Sequence, residues 1–179
     1  MTETGKAYGG ALFLLAREEG QEQTILEHLT GVCALLDENP DYIRLMEAPT
    51  LNRQKRIDIL SETFGGRVHE YLHNFMCILV ENGTFRQLPD CLEEYRRRYD
   101  LLHGIIRVTA VTAVPMDETQ LAALRGKLAA QTGRQVELST RVDPSTMGGV
   151  VLEMEGKRID GSVRARLEAI RSELLSVKA

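Results

Sequence analysis

What this sequence lacks narrows its function before any motif is considered. Its three cysteines, Cys33, Cys77 and Cys91, are scattered singly through 179 residues and form no C-x-x-C pair. That usage excludes a disulfide framework and a cysteine zinc site, and fits free thiols in a reducing compartment. Positive charge is outnumbered, with 22 Lys and Arg against 26 Asp and Glu. With a net charge of −4 and an isoelectric point of about 5.6, the chain repels nucleic acid and anionic lipid. The apolar run near the start is broken by Arg17, Glu18 and Glu19, well short of a membrane span, and lacks the basic leader and small-residue cleavage site of a signal peptide. A soluble cytoplasmic chain is expected. Phosphate-loop chemistry is missing too, because Gly156-Lys157 has neither the upstream glycine nor the following Ser or Thr. No G-x-S-x-G occurs, and no cysteine stands with a histidine and an orienting aspartate in a recognisable pattern. No cofactor is expected, and a partner is expected to be protein.

The chain is 43% apolar, enough to bury a real core. Up to residue 104 the apolar residues keep helical spacing. Six helices are expected: one from "GKAYGGALFLLAREEG", one carrying Ile25, Leu29, Val32 and Leu36, and a short one over "DYIRLMEA". The fourth is capped by Asn52 and carries Ile57 and Leu60. The fifth ends at Asn82-Gly83, and the sixth, irregular at Pro89, stops at Gly104. Beyond Gly104 the pattern changes. "IIRVTAVTAVP" and "RQVELSTRVDP" read as strands around a helix with Asp117 at its start and Gly133 past its end, and "GGVVLEMEGKRIDG" reads as a hairpin. A closing amphipathic helix carries Val163, Leu167, Ile170 and Leu174 on one stripe. The expected fold is α+β, a six-helix bundle over residues 1–104 followed by a small α/β domain over 105–179. Charge divides with it, −6 in the first half and +2 in the second, so the halves are expected to meet different partners.

His69-Glu70-Tyr71-Leu72-His73 matches H-E-x-x-H, which in zinc peptidases puts two imidazoles on one helical face beside a catalytic carboxylate. A catalytic zinc needs a third protein ligand. The longer metzincin form requires Gly at 76 and His at 79, where this chain has Met76 and Leu79, and no spacing singles out Glu93, Glu94 or His103. A zinc-dependent hydrolase is therefore the secondary reading, and two exposed histidines on a helix the preferred one; no metal is expected. Arg96-Arg97-Arg98 reads as a solvated face diluted by Glu93, Glu94 and Asp100.

The first and fifth helices carry more apolar surface than a bundle helix requires. Ala7, Tyr8, Ala11, Leu12, Phe13, Leu14, Leu15 and Ala16 nearly encircle the first, and the fifth has six apolar residues in a row from Phe75 to Val80. A groove between them would accept an amphipathic partner helix, with Gly9, Gly10 and Ala11 permitting close approach. By spacing, Tyr8, Ala11, Leu12 and Leu15 share one face of the first helix. On the fifth, Met76, Cys77 and Val80 are assigned to the groove, and Leu72, Phe75 and Leu79 to the core. In the second half, Asp143, Gly148 and Gly149 read as turn residues and Asp160 and Ser162 as caps of the final helix. Val150, Leu152 and Met154 alternate on one side of a strand and are assigned to the core.

Over essentially its whole length the chain resembles the delta subunits of bacterial F-type ATP synthases, counterparts of the mitochondrial oligomycin-sensitivity-conferring protein. The resemblance is carried by "AYGGALFLLA", by "NFMCILVENGTFRQLPDCLEEYRRRYD" and by "VTAVPM". Most specific are Val142-Asp143-Pro144, Met147-Gly148-Gly149 and Ile159-Asp160-Gly161-Ser162-Val163, in the family's order and spacing. It implies a non-enzymatic stator on the cytoplasmic face of the bacterial inner membrane, peripheral to the membrane through the complex only. In that family the bundle binds the N-terminal helix of an alpha subunit between its first and fifth helices, and the C-terminal domain holds the b subunits of the peripheral stalk. The HEYLH sequence and the Gly9-Gly10 pair stand outside the resemblance.

Overall fold

The structure is a computed structural model, and it describes residues 2–48, 50–154 and 156–168. The chain divides between Leu101 and Leu102 into two compact units.

The first unit is helical. Thr2 starts α1 (Glu3–Glu18) by accepting from the Gly5 N–H, and its own N–H donates to Asp90. Helix α2 (Glu22–Glu38) sends Ile25, Leu29, Val32, Cys33 and Leu36 into the core at helical spacing. Pro40 opens the short α3 (Pro40–Glu47), where its missing N–H costs nothing. Asn52 caps α4 (Arg53–Phe64) by accepting from Lys55 N–H, and His69 precedes α5 (Glu70–Glu81). The irregularity expected at Pro89 falls just before it, as a single 3-10 turn at Phe85–Gln87. Pro89 itself sits in the first turn of α6 (Leu88–His103), again where no helical N–H is lost. Leu12, Phe13, Leu29, Leu72, Met76 and Tyr95 lie in the core of this unit. The Phe13 and Tyr95 rings meet edge to face at 5.3 Å, and the Tyr95 hydroxyl donates to the Glu22 carbonyl.

Helix α1 lies against α6 through a stripe without side chains. A Cβ on Gly5 would stand 2.5 Å from the Cβ of Asp90, and one on Gly9 would stand 2.4 Å from the backbone oxygen of Cys91. The Gly9-Gly10 pair thus faces the bundle interior rather than the groove assigned to it from sequence.

Burial pushes the thiols of Cys33 and Cys91 up to about 12, and raises that of the half-buried Cys77 as well. A disulfide-exchange reagent at pH 8 is expected to modify Cys77 first, with Cys33 and Cys91 reacting only on unfolding. Mass spectrometry of the partly labelled protein checks the order; fast labelling of Cys91 in the folded state would contradict it.

The second unit is a four-stranded sheet in the order β2-β1-β3-β4. Strand β1 (Ile105–Thr112) runs parallel to β2 (Gln135–Val142) and antiparallel to β3 (Val150–Met154), which pairs with the edge strand β4 (Lys157–Asp160). The parallel pair is joined by α7 (Glu118–Thr132), since parallel neighbours need a long crossover. Asp117 and Gln120 form a capping box at its start, and Gly133 ends it in the left-handed region. Val108 stands opposite Leu138 on one side and Met154 on the other. Ile106, Val108, Leu128 and Val136 make the core, with Leu152 and Met154 packed against it. Residues 163–168 begin the closing helix; Ile170 and Leu174 of its expected stripe lie outside the described residues.

Candidate docking surface on the first and fifth helices

Helices α1 and α5 lie side by side and antiparallel. Tyr8 meets Phe75 edge on at 6.4 Å and accepts a hydrogen bond from Asn82 Nδ2 at 3.2 Å, beside the end of α5. At the other end the Glu19 carboxylate stands by Tyr71 in the first turn of α5 and pushes its phenol up. These contacts fix which residues line the seam. Leu15 follows Tyr8 by seven positions and Ile78 follows Phe75 by three, so each shares its neighbour's face. Leu15 is 39% exposed and Ile78 45%, with Leu14 beyond them at 51% and Ala11 exposed between. Leu14 and Leu15 on α1 and Ile78 on α5 thus make an exposed apolar strip along the seam, a candidate docking surface.

The sequence-based assignment is corrected at four positions. Leu12, Met76 and Val80, expected to face a partner, are interior, at 3%, 0% and 0% exposure. Tyr8 and Leu15 line the seam and Ala11 is exposed beside it. Cys77 lies on the far flank of α5, with its sulfur 3.9 Å from His73 Nδ1. Ile78, unassigned from sequence, supplies the outward wall. The signal that would have found it is Tyr8: once Tyr8 and Phe75 are paired, helical spacing leads to Ile78.

The HEYLH sequence is used for folding. His69 is the N-cap of α5, with non-helical backbone angles, so it does not share a helical face with His73. Its Nδ1 accepts from the Tyr71 N–H at 3.3 Å, and its backbone N–H donates to His28 Nδ1 at 3.0 Å. Glu70 is exposed in the first turn, where its charge suits the helix dipole. Among the described residues no three His, Cys, Asp or Glu side chains are grouped to hold a metal ion. The basic triplet is likewise more than a solvated face: Arg97 and Arg98 both donate to Glu94, and Arg96 donates to Thr30.

In the second unit the turn residues act on the backbone. Asp143 accepts from the Ser145 N–H, Asp160 from Ser162 N–H, and Ser162 Oγ from Ala165 N–H. Hydrogen bonding from the side chains of Ser145 and Ser162, and then from their backbone N–H groups, holds both aspartate carboxyls below the usual range. Gly149 has φ +78°, and a Cβ there would lie 2.5 Å from the Gly161 oxygen, so only glycine fits.

Fold and surface together define a class of protein: a six-helix bundle with an open apolar seam, followed by a small mixed-sheet unit. The chain belongs to the ATP synthase delta (OSCP) subunit family, whose pattern it matches over residues 5–174. It is 34% identical over 167 residues to the ATP synthase subunit delta of Citrifermentans bemidjiense, covering 93% of each chain. It is 30% identical over 172 residues to that of Alkaliphilus oremlandii, covering 96% of each. Its fold matches a chain in the cryo-EM structure of the Toxoplasma gondii mitochondrial ATP synthase hexamer, with a TM-score of 0.74 over 98% of both chains at 22% identity. The family is a non-catalytic stator component of F-type ATP synthase, which retires the zinc-hydrolase reading. Among the described residues no helix is long and apolar enough to cross a membrane.

Proposed function

We propose that the α1–α5 seam receives the N-terminal helix of an alpha subunit, and that the C-terminal unit holds the b subunits of the peripheral stalk. The chain then links the catalytic head to the stalk on the cytoplasmic face of the membrane and resists rotor torque. One observation carries the reading: Leu15 and Ile78 stand exposed on the two walls of a seam whose floor, at Tyr8 and Phe75, is already packed. An amphipathic helix laid there would cover them with its apolar stripe. The acidic balance of the first unit favours an incoming helix that carries Lys or Arg. The different charge of the two halves supports separate partners for them.

The test is calorimetric titration of the protein with a synthetic alpha-subunit N-terminal peptide. Saturable one-to-one binding is expected, and Ile78→Asp should weaken it by roughly 30-fold or more, the scale of losing a central apolar anchor. Met76 is interior, so Met76→Leu should leave the affinity unchanged. Binding indifferent to Ile78→Asp and Leu15→Asp would reject the seam as the site.

A further inference from the structure

A second apolar groove lies on another part of the helical unit, between α2, α3 and the end of α4. Its volume is about 870 Å³, and Val32, Leu35, Tyr42, Leu45, Phe64 and Val68 are among the side chains that line it. Leu35 is 52% exposed, although its neighbour Leu36 is in the core.

Three observations define what fits this groove. The first is its length. Its α2 wall runs from Glu27 to Asn39, on the order of three helical turns or ~18 Å at 1.5 Å per residue, so the opening is elongated along a helix. The second is a gap in that wall. Gly31 lies in that wall with nothing within 4 Å of the position a Cβ would take, so another backbone can approach closely there. The third is its charge. Glu27, Glu38 and Asp41 line the groove against a single arginine, Arg67; Arg44, outside the lining, pairs with Asp41 at 2.9 Å, which still leaves the balance negative.

We propose that this groove is a second docking site, taking an amphipathic helix from a partner protein whose flanks carry Lys or Arg. Leu35 and Leu45 would meet the apolar stripe of that helix, and the rim carboxylates would set its sign and speed its approach. The assignment is independent of the α1–α5 seam, since the two surfaces share no lining residue.

The probe is a fluorescently labelled 18-residue peptide of leucine and lysine with helical amphipathic spacing. Its counterpart has glutamate in place of every lysine. Both are titrated by anisotropy onto the full chain carrying Leu15→Asp and Ile78→Asp, which removes the first seam from the measurement. The leucine-lysine peptide is expected to bind, and the leucine-glutamate peptide at least 10-fold more weakly. Adding Gly31→Phe, which fills open space, or Leu35→Asp, which changes an exposed side chain, should weaken the basic peptide at least 10-fold. Circular dichroism should show both variants folded, and Gly31→Ala, too small to fill the groove, should bind like its parent. Equal binding of both peptides, or binding unmoved by Gly31→Phe and Leu35→Asp, would overturn the proposal. Loss of all binding once Leu15→Asp and Ile78→Asp are present would overturn it too, since only the first seam would then take such a helix.

Discussion

Replacing Gly9 by alanine is expected to destabilise the helical unit by about 2 kcal/mol or more, while the same change at Gly10 moves stability by less than about 1 kcal/mol in either direction. Alanine favours a helix over glycine by about 1 kcal/mol, so on an isolated helix both changes would stabilise. The surroundings separate them. At Gly9 the new methyl would stand 2.4 Å from the Cys91 backbone oxygen and 3.0 Å from its Cα, atoms fixed in the first turns of α6. Backbone held in a helix does not yield by an ångström, so α1 must lift off α6 and loosen the packing of Phe13 on Tyr95. At Gly10 the atoms nearest the methyl belong to the guanidinium end of Arg98, at 2.8 Å, a flexible side-chain end that can shift. Urea unfolding followed by helical circular dichroism compares the two variants. Equal effects would mean that α1 does not approach α6 as described.

The contrast between adjacent glycines marks the limit of what the sequence discloses here. Local signals were legible because they act within a few residues: Asn52 capping α4, Asp117 and Gly133 bounding α7, and the β-branched run that becomes β1. Each depends on satisfying nearby backbone groups or on side-chain shape, and no distant partner enters. The rotation of α5 depends on distant partners. With six consecutive apolar residues from Phe75 to Val80, its hydrophobic pattern points nowhere in particular, and packing against α1, α2 and α4 decides that Ile78 faces out and Met76 in. Gly9 and Gly10 misled for a related reason. A glycine announces close approach but not what approaches, and α6 is more than eighty residues away. HEYLH shows the converse: a spacing suited to two ligands on one helical face fails because the helix begins at Glu70, one residue after the first histidine.

Glu94 carries the largest electrostatic prediction. Its side chain is 2% exposed, and it accepts from Arg97 at 2.9 and 2.8 Å and from Arg98 at 2.6 Å. The Arg97 hydrogen bond, opposed by burial and assisted by Arg98, pulls its carboxyl down to about 2. Because the folded-state value lies below the unfolded one, Glu94 contributes stability that is fully present above about pH 5 and is lost as pH falls towards 2. Taken at face value such a shift corresponds to about 3 kcal/mol. Arg97 and Arg98 remain 55% and 36% exposed, so water and salt screen part of it, and about 1–2 kcal/mol is the expected loss for Glu94→Gln at pH 7. The glutamine keeps the size and one acceptor oxygen, so the loss reports charge rather than a cavity. Urea titrations of both proteins at pH 7, 4 and 2.5 should show the stability difference shrinking as the carboxylate of the unfolded chain takes up its proton while the native one is still ionised. A difference that stayed constant with pH would assign the role of Glu94 to packing. The same pair bears on Gly10: the Arg98 guanidinium beside it is bonded to Glu94, so moving that group for the alanine methyl offsets part of the helix gain of Gly10→Ala.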